Sequence, residues 1–130
     1  MEQNPPVGRR ILIVDDDPQV RATIGERLHD WGFEAVEADS GHAGLMRIIF
    51  DSGRHPIQGV LLDLHMPILG GMAVLHEMRE QHPNIPVIVM SDVNEIHAAR
   101  EAVKQGAREY VLKPFDPELL KTKCLRVFFQ

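Results

Sequence analysis

The chain has 130 residues, 44% hydrophobic and 25% charged, with 10 glycines and 9 prolines. That is the length and balance of one globular domain, and it excludes a disordered, collagen-like or coiled-coil chain. A net charge of −5 excludes a whole-molecule grip on nucleic acid, and a single cysteine, Cys124, excludes an internal disulfide.

Residues 1–9 read as a short polar tail with two prolines, and residues 10–130 as one domain. Met1 to Arg10 lacks the apolar stretch of a signal peptide. No apolar run nears the ~20 residues of a membrane span, so the expected location is cytoplasmic and no membrane contact is expected.

Ile11-Leu12-Ile13-Val14 is a compact strand-like run ended by Asp15-Asp16-Asp17. Val20, Ile24, Leu28 and Trp31 then recur at helical spacing. Phe33 to Ala38 alternates apolar and acidic residues, which predicts a strand near a sheet edge. Ser40 to Phe50 reads as a helix with Ser40 as its N-cap and Ala43, Leu45, Met46 and Ile49 as its apolar surface.

Asp51 to Gln58 reads as a loop, and Val60-Leu61-Leu62 as a strand ended by Asp63. Gly70-Gly71 opens a helix with Met72, Leu75 and Met78 on one side. Pro86 to Met90 is a fourth strand, and Asn94 to Gln105 a fourth helix closed by Gly106. Tyr110-Val111-Leu112 is a fifth strand. Pro117 to Phe128 is a fifth helix with Leu120, Cys124, Val127 and Phe128 on one face. Val127-Phe128-Phe129 reads as an exposed apolar end, a dimer contact or the cut edge of a longer chain.

Five apolar strands alternating with five helices predict an α/β fold, a parallel sheet covered on both faces. Right-handed crossovers limit it to a doubly wound sheet. Reactive groups then collect at the carboxyl ends of the strands. Those ends carry Asp15 to Asp17, Asp63, Ser91-Asp92 and Lys113. Singly, each has a plain reading: a helix cap, a turn residue or an exposed lysine.

Together they point to phosphoryl chemistry. Clustered aspartates raise one another's pKa unless a cation lies among them, and hard oxygen ligands suit Mg²⁺. Lys113 adds positive charge and Ser91 a hydroxyl donor for phosphate oxygens. One carboxylate would be the nucleophile of an aspartyl phosphate. The seven histidines show no ligand cluster, and no GxxxxGK loop is present.

Over residues 10 to 128 the chain resembles the receiver domain of two-component response regulators. The segments that carry the resemblance are ILIVDDDP, LLDLHMPILGG, PVIVMSD and GAREYVLKPF. The resemblance implies a flavodoxin-like five-stranded sheet in the order 2-1-3-4-5. It implies that Asp63 accepts a phosphoryl group from a sensor histidine kinase or histidine phosphotransfer protein. It places Mg²⁺ on Asp16, Asp63 and the His65 carbonyl, with Asp15 acting through water. It makes Ser91 the switch hydroxyl, Tyr110 the switch aromatic and Lys113 the phosphate-binding lysine, with Lys113-Pro114 cis and Gly71 letting the chain turn after Pro67. It implies slow self-dephosphorylation, a signalling switch rather than a turnover enzyme, and an output surface of the fourth helix, fifth strand and fifth helix. That surface serves an unknown output domain or effector, or a homodimer, with no direct nucleic acid contact.

The sequence departs from the family pattern at Asp92, where a small residue usually follows the switch hydroxyl. A carboxylate there is expected to repel an anionic donor or to pair with Lys113 in the resting state, or else to point to solvent at the start of the fourth helix, where a negative charge favours the helix dipole. Two other readings stay open. One is a degenerate receiver serving only as a protein-interaction module. The other is a phosphoaspartyl hydrolase, for which Asp15-x-Asp17 supplies the aspartate spacing.

Overall fold

The computed structural model describes residues 8–53 and 55–129. Most of the expected tail, residues 1–7, lies outside them. The elements run β1 (Arg10–Val14), α1 (Pro18–Asp30), β2 (Glu34–Ala38), α2 (Gly41–Asp51), β3 (Gly59–Asp63) and α3 (Gly71–Gln81). They continue with β4 (Val87–Asp92), a 3₁₀ turn (Val93–Glu95), α4 (Ile96–Lys104), β5 (Glu109–Lys113) and α5 (Pro117–Phe128).

The five strands form one parallel sheet in the order β2-β1-β3-β4-β5, as expected. Strand alternation sends successive side chains to opposite faces and so builds two cores. Leu12, Val14, Val60, Leu62, Val87 and Val89 pack with α2, α3 and α4. Ile11, Ile13, Leu61, Ile88, Met90 and Val111 pack with α1 and α5. β2, with its outward glutamates, is an edge strand, as its alternation implied.

Helix starts follow their caps. Asp17 accepts from the amides of Gln19 and Val20 and is followed by Pro18. Ser40 accepts from the Ala43 amide, and Asp116 from that of Glu118. α5 buries the four residues assigned to its face. Phe129 is half-exposed and stacks on Phe33 with ring centroids 4.6 Å apart.

Some expectations are corrected. In α2, Gly41, Gly44 and Ile48 face the core, with Ala43 and Leu45 packed partly buried against it as expected, while Ile49 and Phe50 point outward. β4 runs on through Ser91 and Asp92, because Ser91↔Leu112 and Asp92↔Lys113 continue the ladder with β5. The fourth helix begins later, after the 3₁₀ turn, and its cap residue Glu95 makes no side-chain capping bond.

Candidate functional site

β1 and β3 are neighbours, and their chain ends leave the sheet side by side. The carboxylates of Asp15, Asp16 and Asp63 therefore converge, with one oxygen from each lying within 4.8 Å of the others. Asp15 is fully buried. Its Oδ1 accepts from the Asp17 amide at 2.9 Å and its Oδ2 from Lys113 Nζ at 2.7 Å. The Arg21 guanidinium donates to the Asp15 carbonyl at 2.7 Å. Asp16 is exposed at the rim.

Asp63 is buried, accepts from the His65 amide at 3.1 Å and lies 3.5 Å from Lys113 Nζ. Burial pushes its carboxyl up to about 6; the Lys113 charge opposes this and the nearby Asp15 adds to it. Burial alone would lower the Lys113 ammonium, but the Asp15 hydrogen bond and the charges of Asp63 and Asp15 outweigh it and raise the pKa. An acidic, all-oxygen cluster with one carboxyl held well above its ordinary range is a site that a hard divalent cation would relieve. Among the described residues no histidine joins that cluster.

Gly71 brings the start of α3 against the site. A Cβ there would lie 2.4 Å from the Asp63 carbonyl and 2.5 Å from Leu64 Cα. Close approach, rather than a positive φ, is what requires glycine. The positive φ of that loop falls on Ile68, at 52°. The Lys113-Pro114 bond is cis.

Ser91 is fully buried at the end of β4, beside the pairing that aligns Asp63 with Met90. Its hydroxyl donates to the Glu95 carbonyl at 3.2 Å, with a longer contact to that of Asp92 at 3.4 Å. Tyr110 is half-buried against the α4-side core. Lys123 of α5 lies 5.0 Å above its ring and donates to its carbonyl at 2.5 Å. Asp92 is exposed and makes no ion pair among the described residues, so the expected pairing with Lys113 is replaced by Lys113 with Asp15 and Asp63. With Asp17, Val20, Lys113, Pro114 and Phe115 it lines a cavity of about 490 Å³ beside the cluster.

Two neighbours of these residues escaped the sequence reading: Glu95, which holds Ser91, and Lys123, which holds Tyr110. Neither belongs to a recognisable motif or periodicity, and only the fold brings them in.

The family model of the response regulator receiver domain matches residues 11–125. The chain belongs to that family. This receiver domain is 41% identical over 107 residues to the regulatory protein AtoC of Escherichia coli strain K12, covering 82% of the chain and 22% of that protein. It is 34% identical over 114 residues to the transcriptional regulatory protein ZraR of Salmonella typhimurium, covering 85% and 24%. The chain thus spans less than a quarter of these curated relatives. Among solved structures, the receiver domain of NtrX from Brucella abortus superposes with a TM-score of 0.83 at 31% identity, covering 92% of this chain and 98% of that one. Vibrio cholerae CheY4, a chemotaxis protein, gives 0.80 at 25% identity over the same shares.

Proposed function

We propose that this receiver domain takes a phosphoryl group onto Asp63 from a phosphohistidine on a sensor histidine kinase or histidine phosphotransfer protein. The observation that carries the reading is the buried Asp63 carboxylate, grouped with Asp15 and Asp16 and facing Lys113 at 3.5 Å. An Asp63 oxygen attacks phosphorus, the P–N bond breaks, and its electron pair leaves with the imidazole. Lys113 neutralises negative charge on the phosphoryl oxygens. Asp16, Asp63 and the His65 carbonyl, with Asp15 through water, would hold Mg²⁺, which would supply further charge neutralisation when bound.

Ser91 then turns its hydroxyl to the phosphoryl group and Tyr110 moves inward, so that α4, β5 and α5 carry the output. That surface serves an effector, an output domain or a second copy, in the cytoplasm. The relatives named as transcriptional regulators are several times longer, and this reading assigns no DNA contact to the receiver domain. Slow self-dephosphorylation resets the switch.

The hydrolase reading is disfavoured, because the Asp17 carboxylate is spent capping α1 and Asp15 is tied to Lys113. Incubation with acetyl phosphate and Mg²⁺ followed by intact mass is the test. Wild type should gain about 80 Da and Asp63→Asn should not. An undiminished adduct in Asp63→Asn would overturn the assignment, and an unmodified wild type would favour the degenerate receiver. Phosphate release from a small phosphomonoester would revive the hydrolase.

A further inference from the structure

α5 turns one face to the core through Leu120, Cys124, Val127 and Phe128. Lys123 flanks that face, and its side chain, only 15% exposed, runs to the border of the sheet. There β5 has a strand on one side only, and Lys123 Nζ supplies the donor to the Tyr110 carbonyl at 2.5 Å. The Glu109 carboxylate lies 3.4 Å from the same ammonium, and Arg126 reaches the other Glu109 oxygen at 3.6 Å.

The ammonium is therefore anchored on two groups that stay in place when the Tyr110 ring turns, a main-chain carbonyl and the carboxylate of the preceding residue. From that anchor it lies 5.0 Å from the ring centroid, within the range at which a cation is attracted to an aromatic face. The ring is half-buried and packs in part against the core on the α4 side. A rotation about its side-chain bonds leaves the ammonium behind and forfeits the attraction.

We propose that Lys123 is a positioning residue that holds the Tyr110 ring in this half-buried pose, with Glu109 keeping the ammonium over the ring, and so sets how readily the unmodified domain passes to the switched form. The inference rests on the reading of Tyr110 as the aromatic that moves inward when Asp63 is modified. That movement takes the ring off the ammonium, so the contact favours rest and opposes the switch. One partly exposed cation over a tyrosine ring shifts a two-state population by about two- to fivefold.

Tyr110 is the single tyrosine of the chain, so labelling with 3-fluorotyrosine places one fluorine resonance on the ring in question. Each protein is titrated with beryllofluoride in Mg²⁺, as a stand-in for the phosphoryl group. The midpoint is read between that protein's own starting and saturated resonances, which removes the direct effect of the lost charge on the signal. Lys123→Leu takes away the ammonium and leaves an apolar stem. Its midpoint should fall about two- to fivefold below that of wild type. Lys123→Arg keeps a cation over the ring and should restore the wild-type midpoint.

An unchanged midpoint in Lys123→Leu would overturn the proposal, and so would a fall in Lys123→Arg as large as that in Lys123→Leu. A purely structural lysine gives another pattern, a lower melting temperature for Lys123→Leu with its midpoint unmoved. Glu109→Gln loosens the anchor without altering ring or lysine, and its midpoint should fall between those of wild type and Lys123→Leu. A midpoint at or above the wild-type value there would also count against the tie. The two levels separate cleanly. A wild-type resonance that ignores beryllofluoride removes the reading of Tyr110 and the tie with it, whereas a normal wild-type response with equal midpoints in every variant removes the tie alone.

Discussion

Lys113 lies nearer to Asp15 than to Asp63, at 2.7 Å against 3.5 Å. The ammonium therefore satisfies the fully buried carboxylate first and leaves Asp63 only partly compensated. The pH response follows. Asp63 has an ordinary value of 3.8 and is pushed up to about 6 by burial. A raised folded value favours the fold below about pH 4, and that contribution is lost as pH rises through about 6. In EDTA, Asp63→Asn should be more stable than wild type at about pH 7.5, by up to ~3 kcal/mol, with the two converging near pH 4. Urea titrations at the two pH values check it. A difference that does not depend on pH would show that Asp63 carries no excess charge burden.

The aspartates at the end of β1 should divide their work. Asp16→Ala should weaken Mg²⁺ binding about tenfold or more if, as proposed, Asp16 supplies a direct oxygen ligand. Asp17→Ala should leave Mg²⁺ affinity in place and cost about 1 kcal/mol through the lost α1 cap. Calorimetric Mg²⁺ titration and thermal melts of both variants settle the ranking. A larger affinity loss for Asp17→Ala would reverse it.

Much of this site was legible because apolar runs stop abruptly at charged residues, as at Val14-Asp15 and Leu62-Asp63. Hydrophobicity carries less information where main-chain pairing continues under polar side chains. That is why β4 reaches Asp92, beyond the Met90 at which its apolar run ends. The late start of α4 was hidden for a related reason, since Glu95 sits at the cap without capping. The His65–Glu95 and Lys123–Tyr110 contacts join residues with no shared period, and only tertiary packing brings them together. Ile68 misleads outright, because a β-branched residue gives no hint of a positive φ.

That residue supplies a stability test. Ile68 combines a φ of 52° with 94% exposure, so it bears backbone strain without burying its side chain. Ile68→Gly should stabilise the fold by about 0.5–1 kcal/mol, after allowing for the added freedom of the unfolded chain. Thermal melts in EDTA would read this as a rise of a few degrees. A fall in midpoint would show that the isoleucine side chain contributes more than its exposure implies.

Gly71 should tolerate no enlargement. A methyl there would lie 2.4 Å from the Asp63 carbonyl oxygen and 2.5 Å from Leu64 Cα, main-chain atoms that cannot swing away. Gly71→Ala should cost about 1–3 kcal/mol and weaken Mg²⁺ binding by displacing Asp63. Unchanged stability together with unchanged Mg²⁺ affinity would refute the close-approach account.

Asp92, exposed and unpaired among the described residues, is left with a field effect on the donor. Asp92→Ala should speed modification by acetyl phosphate at low salt, with the gain shrinking as ionic strength rises. Equal rates for both proteins at both salt concentrations would assign Asp92 to solvent alone.

β3 is bonded on both sides, to β1 and to β4, and is buried along its whole length, whereas β5 forms one border of the sheet. The proposed acceptor carboxylate is thus mounted on the strand whose amides should exchange with deuterium only when the whole domain opens. Of the proposed switch residues, Ser91 is buried on β4, while Tyr110 lies on the border strand β5, which opens locally at lower free energy. Modification of Asp63 should slow deuterium uptake in Val93–Glu95 and in β5 while leaving Val60–Leu62 at the same slow rate. On the proposed reading, the chemical event is anchored on a strand paired along both sides, and Tyr110 carries it to a border of the sheet.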